Sequence, residues 1–133
     1  MPQAQGTFEV KVAPLPADDA IAATSISRFS LDKVYRGDIE GISAGEMMGA
    51  GNVAAGSAGY VAVEQVSGTV HGKHGSFALQ HSSTMDQGQF DMNIKVVPGS
   101  GTEQLVGIAG VLTIIIDGKQ HSYRFDYTLP AES

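Results

Sequence analysis

Residues 59–85, GYVAVEQVSGTVHGKHGSFALQHSSTM, constrain this chain more than any other stretch. They read as two long β-strands, Tyr60–Val70 and Gly75–Met85, joined by a tight turn at Gly72-Lys73-His74-Gly75. Glycine at both ends of the turn lets the backbone reverse, and the flanking β-branched and aromatic residues favour extended structure. A hairpin of this length needs other strands to cover it. It also carries Glu64, Gln80 and His81 among apolar neighbours, where a polar group is costly unless it is paired or used.

The rest of the chain supplies those strands. Thr7–Val12 alternates, with Phe8, Val10 and Val12 on one face and Thr7, Glu9 and Lys11 on the other. Pro14 and Pro16 end it. Asp18–Ala22 is consistent with a loop or a short helical turn, and Thr24–Leu31 reads as a second strand. A turn is expected from Asp32-Lys33 to Gly37. Asp38–Met48 follows as a third strand, whose interior Gly41 and Gly45 mark bends. Gly49–Ala58 is rich in small residues and reads as a loop.

Beyond the hairpin, Gln89–Val97 places Phe90, Met92, Ile94 and Val96 on one face. Pro98–Thr102 is a loop. Ala109–Ile116 is a continuous apolar run, Asp117-Gly118 is a hairpin signal, and His121–Leu129 puts His121, Tyr123, Phe125, Tyr127 and Leu129 on one side. About eight strands with short turns and no sustained helical period predict an all-β fold, an eight-stranded antiparallel β-barrel in one domain over residues 1–133. Seventeen glycines supply the turns and corners.

Ala109–Ile116 breaks the alternation expected of a strand with one wet face. Its outer face needs a cover, and the favoured one is a second copy of the chain, which predicts a homo-oligomer assembled through this strand. A loop of the same chain is the other option.

Composition excludes several functions. With no cysteine there is no disulfide, thiolate metal site or cysteine nucleophile. A net charge of −6 with eight scattered Lys and Arg argues against nucleic acid. No apolar stretch is long enough for a membrane helix, and MPQAQGTFEV has no basic segment leading into an apolar run, so a cytoplasmic protein without signal peptide is expected.

Short motifs give little. Gly41-Ile42-Ser43-Ala44-Gly45 matches the nucleophile elbow G-x-S-x-G, but no helix can follow it. Gly49-Ala50-Gly51 and Gly99-Ser100-Gly101-Thr102 resemble phosphate loops without the helix such loops open. His71 with His74, or His81 with His121, lacks a third ligand, so no metal and no cofactor is expected.

The polar residues on strands are the better lead. Arg28, Glu46, Glu64, Gln80 and His81, with His121 as a further candidate, lie on strands beside Met48, Tyr60, Phe77, Leu79 and Tyr123. Gln80 and His81 are adjacent and must face opposite ways. If His81 shares the face of Phe77 and Leu79, it is the interior one. One reading is structural, an Arg28–carboxylate pair that fixes strand register. The other is an acid or base in an apolar pocket, with burial raising a glutamate pKa and lowering a histidine pKa. The candidate ligand-binding set is therefore Arg28, Glu46, Met48, Tyr60, Glu64, Gln80, His81 and Tyr123, with Glu64, Glu46 and His81 as the candidate catalytic groups.

As a whole the chain resembles a bacterial domain-of-unknown-function family. The resemblance is carried by Gly37–Gly41, Gly45-Glu46-Met47, Gly56–Ala62, Gly75–Ser82 and Val96–Thr102. It implies a calycin-type barrel like that of the plant allene oxide cyclases and dirigent proteins. Gly99–Thr102 with Gly107–Gly110 also looks like a dirigent loop-and-strand pattern. Those relatives bind apolar small molecules in the barrel and form trimers, and no active-site residue of theirs maps onto this chain. Three functions are thus expected in competition: a barrel holding a small, largely apolar or amphipathic ligand, a cofactor-independent isomerase or cyclase using interior Glu and His, and an assembly protein without ligand.

Overall fold

A computed structural model describes residues 2–16 and 18–130. Eight antiparallel strands form a closed barrel in which each pairs with its neighbours in sequence and the first closes on the last. They are β1 (Gln3–Leu15), β2 (Ser27–Gly37), β3 (Ile39–Asn52), β4 (Ser57–Val70), β5 (Lys73–Asp86), β6 (Gln89–Val96), β7 (Ala109–Asp117) and β8 (Gln120–Thr128). One helical turn, α1 (Asp19–Ala22), links β1 to β2, and Asp18 caps it by accepting from the Ile21 amide. No helix among the described residues is long and apolar enough to cross a membrane.

Several boundaries differ from the sequence expectation. β1 starts at Gln3 and runs past the expected stop at Pro14 to Leu15, with Pro14 laddered to Phe29 on β2. The expected turn at Asp32–Gly37 is the second half of β2, because Leu31, Lys33 and Tyr35 alternate inward without a break. The expected loop at Gly49–Ala58 is mostly strand, with Gly49, Ala50 and Gly51 laddered to Tyr60, Gly59 and Ala58. The hairpin turn is His71-Gly72, one step earlier than expected. Val70 pairs with Lys73, and both turn residues have positive φ, the two-residue geometry that matches strand twist. Gly75 lies inside β5 instead, where a Cβ would come within 2.2 Å of the Thr102 carbonyl oxygen.

That close approach seals one end. Ser76 and Ala78 on β5 bond the segment after β6 through Thr102 and Ser100, and Leu105 and Ile108 from it enter the barrel as a plug. Above them Phe77 stacks on Phe125, and Phe125 on Tyr127. Tyr123 ties this end together, accepting from the Ile39 amide at 2.8 Å and donating to the Arg36 carbonyl at 3.0 Å.

The other end is flared. β1 pairs with β8 only from Gln3 to Phe8 but with β2 as far as Leu15. β6 and β7 face each other at a single rung, Lys95 opposite Val111. The sheet β1–β6 therefore runs past the closed wall. Val10, Val12, Phe90 and Met92 hold the inward parity read from the sequence, yet they stay exposed because no opposing wall covers them.

Candidate functional site

Midway along the barrel the inner face turns polar. Glu64 from β4 is fully buried, and four donors converge on it. Lys33 Nζ lies 3.0 Å, Tyr35 Oη 3.1 Å and His81 Nε2 2.8 Å from Oε1, while Ser43 Oγ donates to Oε2 at 2.5 Å. Lys33 and Tyr35 come from β2, Ser43 from β3 and His81 from β5, so four adjacent strands meet on one carboxylate. Gly45, laddered to Glu64, lets β3 come close to β4 at this point: a Cβ there would lie 2.0 Å from the Val63 carbonyl oxygen and 2.7 Å from the Glu64 Cα. The Lys33 ammonium also sits over the Phe8 ring, 4.9 Å from its centre.

Burial pushes the Glu64 carboxyl up, but the His81 hydrogen bond, the Lys33 charge and the Ser43 hydrogen bond outweigh it. They hold the group at about 2, below its ordinary 4.5. This corrects the expectation of a raised glutamate. Desolvation alone raises a carboxylate; His81, Lys33 and Ser43 together reverse the sign. An ionised Glu64 at this value is a weak base, and the bond to His81 requires the proton on Nε2. Burial, followed by the Glu64 charge, pushes the Tyr35 phenol well up, so it stays a donor.

The sequence candidates divide by parity. Glu64, His81, Tyr60 and Tyr123 face inward. Tyr123 is committed to backbone groups at the sealed end, and burial pushes its phenol up to about 12. Arg28, Glu46, Met48 and Gln80 face outward, which removes them from any interior site. Glu46 lies between the inward Gly45 and Met47, and Gln80 between the inward Leu79 and His81. Arg28 does pair with a carboxylate, Glu46 at 2.5 Å, but on the outer surface, where such a pair is worth about 0–1 kcal/mol. His121 packs its ring on Phe8. His71 contacts the Tyr127 hydroxyl and Asp38, and His74 contacts Glu103. Among the described residues no three His, Asp or Glu side chains gather in a metal-binding group.

Lys33, Tyr35 and Ser43 were not among the sequence candidates. A signal for Lys33 existed: a cation in the inward series Phe29-Leu31-Lys33-Tyr35 demands a buried acid. Ser43 lies within the discarded elbow motif, on a strand, as a donor rather than a nucleophile.

Beyond this cluster, toward the flared end, lies a cavity of about 380 Å³. It exists because inner positions of β3 and β4 there are small, Gly49, Gly51 and Ala58. Its walls include Phe29, Met47, Met85 and Phe90, and no lining residue is charged. Tyr60 and Ser83, laddered to each other, are the lining rung of the β4–β5 hairpin nearest Glu64.

The model of a protein family of unknown function, DUF3224, matches residues 4–127. The chain belongs to the DUF3224 family. A crystal structure of a DUF3224 protein of unknown function from Shewanella oneidensis MR-1 is similar to it, with 40% identity, a TM-score of 0.91 and 99% of each chain covered. No curated protein matches the chain.

Proposed function

We propose that this protein binds a small, largely apolar molecule in the cavity at the flared end of its barrel. The observation that carries this reading is the uncharged cavity of about 380 Å³, within the size range of small-molecule sites and walled by aromatic and methionine side chains. The eight-stranded barrel also agrees with the likeness to allene oxide cyclases and dirigent proteins, whose barrels hold apolar compounds.

Catalysis by Glu64 and His81, as in an isomerase or cyclase, has less support. Glu64 is saturated by donors and held ionised, and neither side chain lines the cavity. The cluster reads instead as a polar cross-tie beneath the binding site.

The test is uptake of the neutral fluorescent probe N-phenyl-naphthylamine by the wild type and by Gly49→Leu. A Cβ at Gly49 meets nothing closer than 3.5 Å, so the leucine fills the cavity without displacing backbone. Saturable enhancement that Gly49→Leu abolishes supports the reading. Absence of uptake, or uptake that Gly49→Leu leaves unchanged, refutes it and leaves assembly without ligand as the role.

A further inference from the structure

We propose that the ligand of this cavity is a neutral molecule, an apolar body ending in one hydroxyl or carbonyl group that hydrogen-bonds to Tyr60 and Ser83. The proposal rests on the cavity being a binding site and adds the chemical class of what it takes.

The cavity wall offers no Asp, Glu, Lys, Arg or His. An ionised head group entering it would give up its hydration and find no countercharge. The nearest charges lie one layer deeper and are consumed. Lys33 is bonded to Glu64 and Tyr35, and Glu64 already accepts from four donors. A carboxylate ligand would have to take Lys33 from Glu64, and an ammonium ligand would have to take Glu64 from its donors. Either exchange leaves a buried charge alone.

What the wall does offer is hydroxyls. Tyr60 and Ser83 face each other across the β4–β5 ladder on the inner rung nearest the cluster. Burial pushes the Tyr60 phenol up, the Ser83 hydrogen bond opposes this, and the Glu64 charge adds to it, so Tyr60 keeps its proton and can donate. A phenol that donates beside a serine that donates or accepts matches a carbonyl or an alcohol. Around them Phe29, Met47, Met85 and Phe90 take the apolar body, and the two methionines adapt to its shape.

The experiment displaces bound N-phenyl-naphthylamine with decanol, decanone, decanoate and decylammonium at neutral pH. Decanol and decanone are expected to compete about tenfold or more better than the two ions. Tyr60→Phe is expected to weaken decanol and decanone by roughly 2- to 10-fold beyond any change it makes in probe affinity, which is measured in the same variant. Ser83→Ala gives the same readout should Tyr60→Phe fold poorly. Decanoate or decylammonium competing as well as decanol overturns the ligand class while the cavity stands. So do unchanged alcohol affinities in both variants. A wild type that takes up no probe overturns the cavity reading itself.

Discussion

Lys33 Nζ stands 3.0 Å from Glu64 Oε1, with the lysine side chain 4% exposed and the glutamate 0%. The two charges come from β2 and β4, with β3 between them. The ladder passes from β2 to β3 to β4, and this pair ties its first and third members directly across the inner face.

Removing one partner strands the other. Lys33→Met is expected to destabilise the fold by about 3–5 kcal/mol, the cost typical of a buried pair broken on one side. Restoring balance with Glu64→Leu in the same chain should recover part of it, because two apolar side chains leave no charge unpaired. Urea unfolding of the wild type, Lys33→Met and the double variant measures this. A single-variant cost below about 1 kcal/mol would mean that the pair contributes nothing.

Glu64 also sets an acid limit. Its folded pKa of about 2 lies below the ordinary 4.5, so the folded state binds the proton less readily than the unfolded chain. The resulting stability, on the order of 3 kcal/mol, is fully present above pH 4.5 and is lost as pH falls toward 2. Stability curves between pH 2 and 6 should steepen in that window for the wild type and flatten there for Glu64→Gln. Parallel curves for the two proteins would assign acid sensitivity to other carboxylates.

Gly45 should resist any side chain. A methyl group there would lie 2.0 Å from the Val63 carbonyl oxygen and 2.7 Å from Cα of Glu64. Gly45→Ala is expected to cost about 1–3 kcal/mol by forcing β3 from β4, whereas Gly49→Ala, with ordinary contacts, should be nearly silent. Equal melting temperatures for the two variants would show that the strands separate without cost.

Val111 and Ile115 present an apolar outer face on β7, 52% and 45% exposed in the single chain. We propose that a second copy of this chain covers it. Val111→Lys with Ile115→Lys should then shift the species seen by light scattering after size exclusion to monomer, with the fold retained. A wild type already monomeric at high concentration would remove the proposal.

The strand count and the faces of β1, β6 and β8 were legible because period-two alternation survives in Phe8-Val10-Val12, Phe90-Met92-Ile94 and Tyr123-Phe125-Tyr127, while that of β5 hung on His81 sharing the face of Phe77 and Leu79. The sequence also raised Glu64 and His81, as polar groups in apolar company. It hid Lys33, because a charged residue beside Asp32 and before Gly37 imitates a turn, while its acid partner is 31 residues away. It misplaced Glu46 and Met48, since parity through the glycines of β3 cannot be counted until the ladder is known, and it kept Gln80 as a candidate although alternation with an interior His81 turns it outward. The cavity was the least legible feature: it comes from side chains that are missing at Gly49, Gly51 and Ala58, and small residues look the same in a loop and in a wall.

Between β6 and β7 the backbone ladder has a single rung among the described residues, Lys95–Val111, while β4 and β5 are laddered from Ala58 to Val70. The molecule is in that respect a cuff with one clasp rather than a pipe. Thermal breathing concentrates where the fewest backbone bonds must open, so the clasp is the first part to release, ahead of any hoop of β1–β5. Amides along Gln89–Asn93 should exchange with solvent far sooner than those of Val66–Val70. A guest too broad for the mouth would come and go by the clasp, and its dwell time would then follow the opening of that rung rather than the grip of the walls around it.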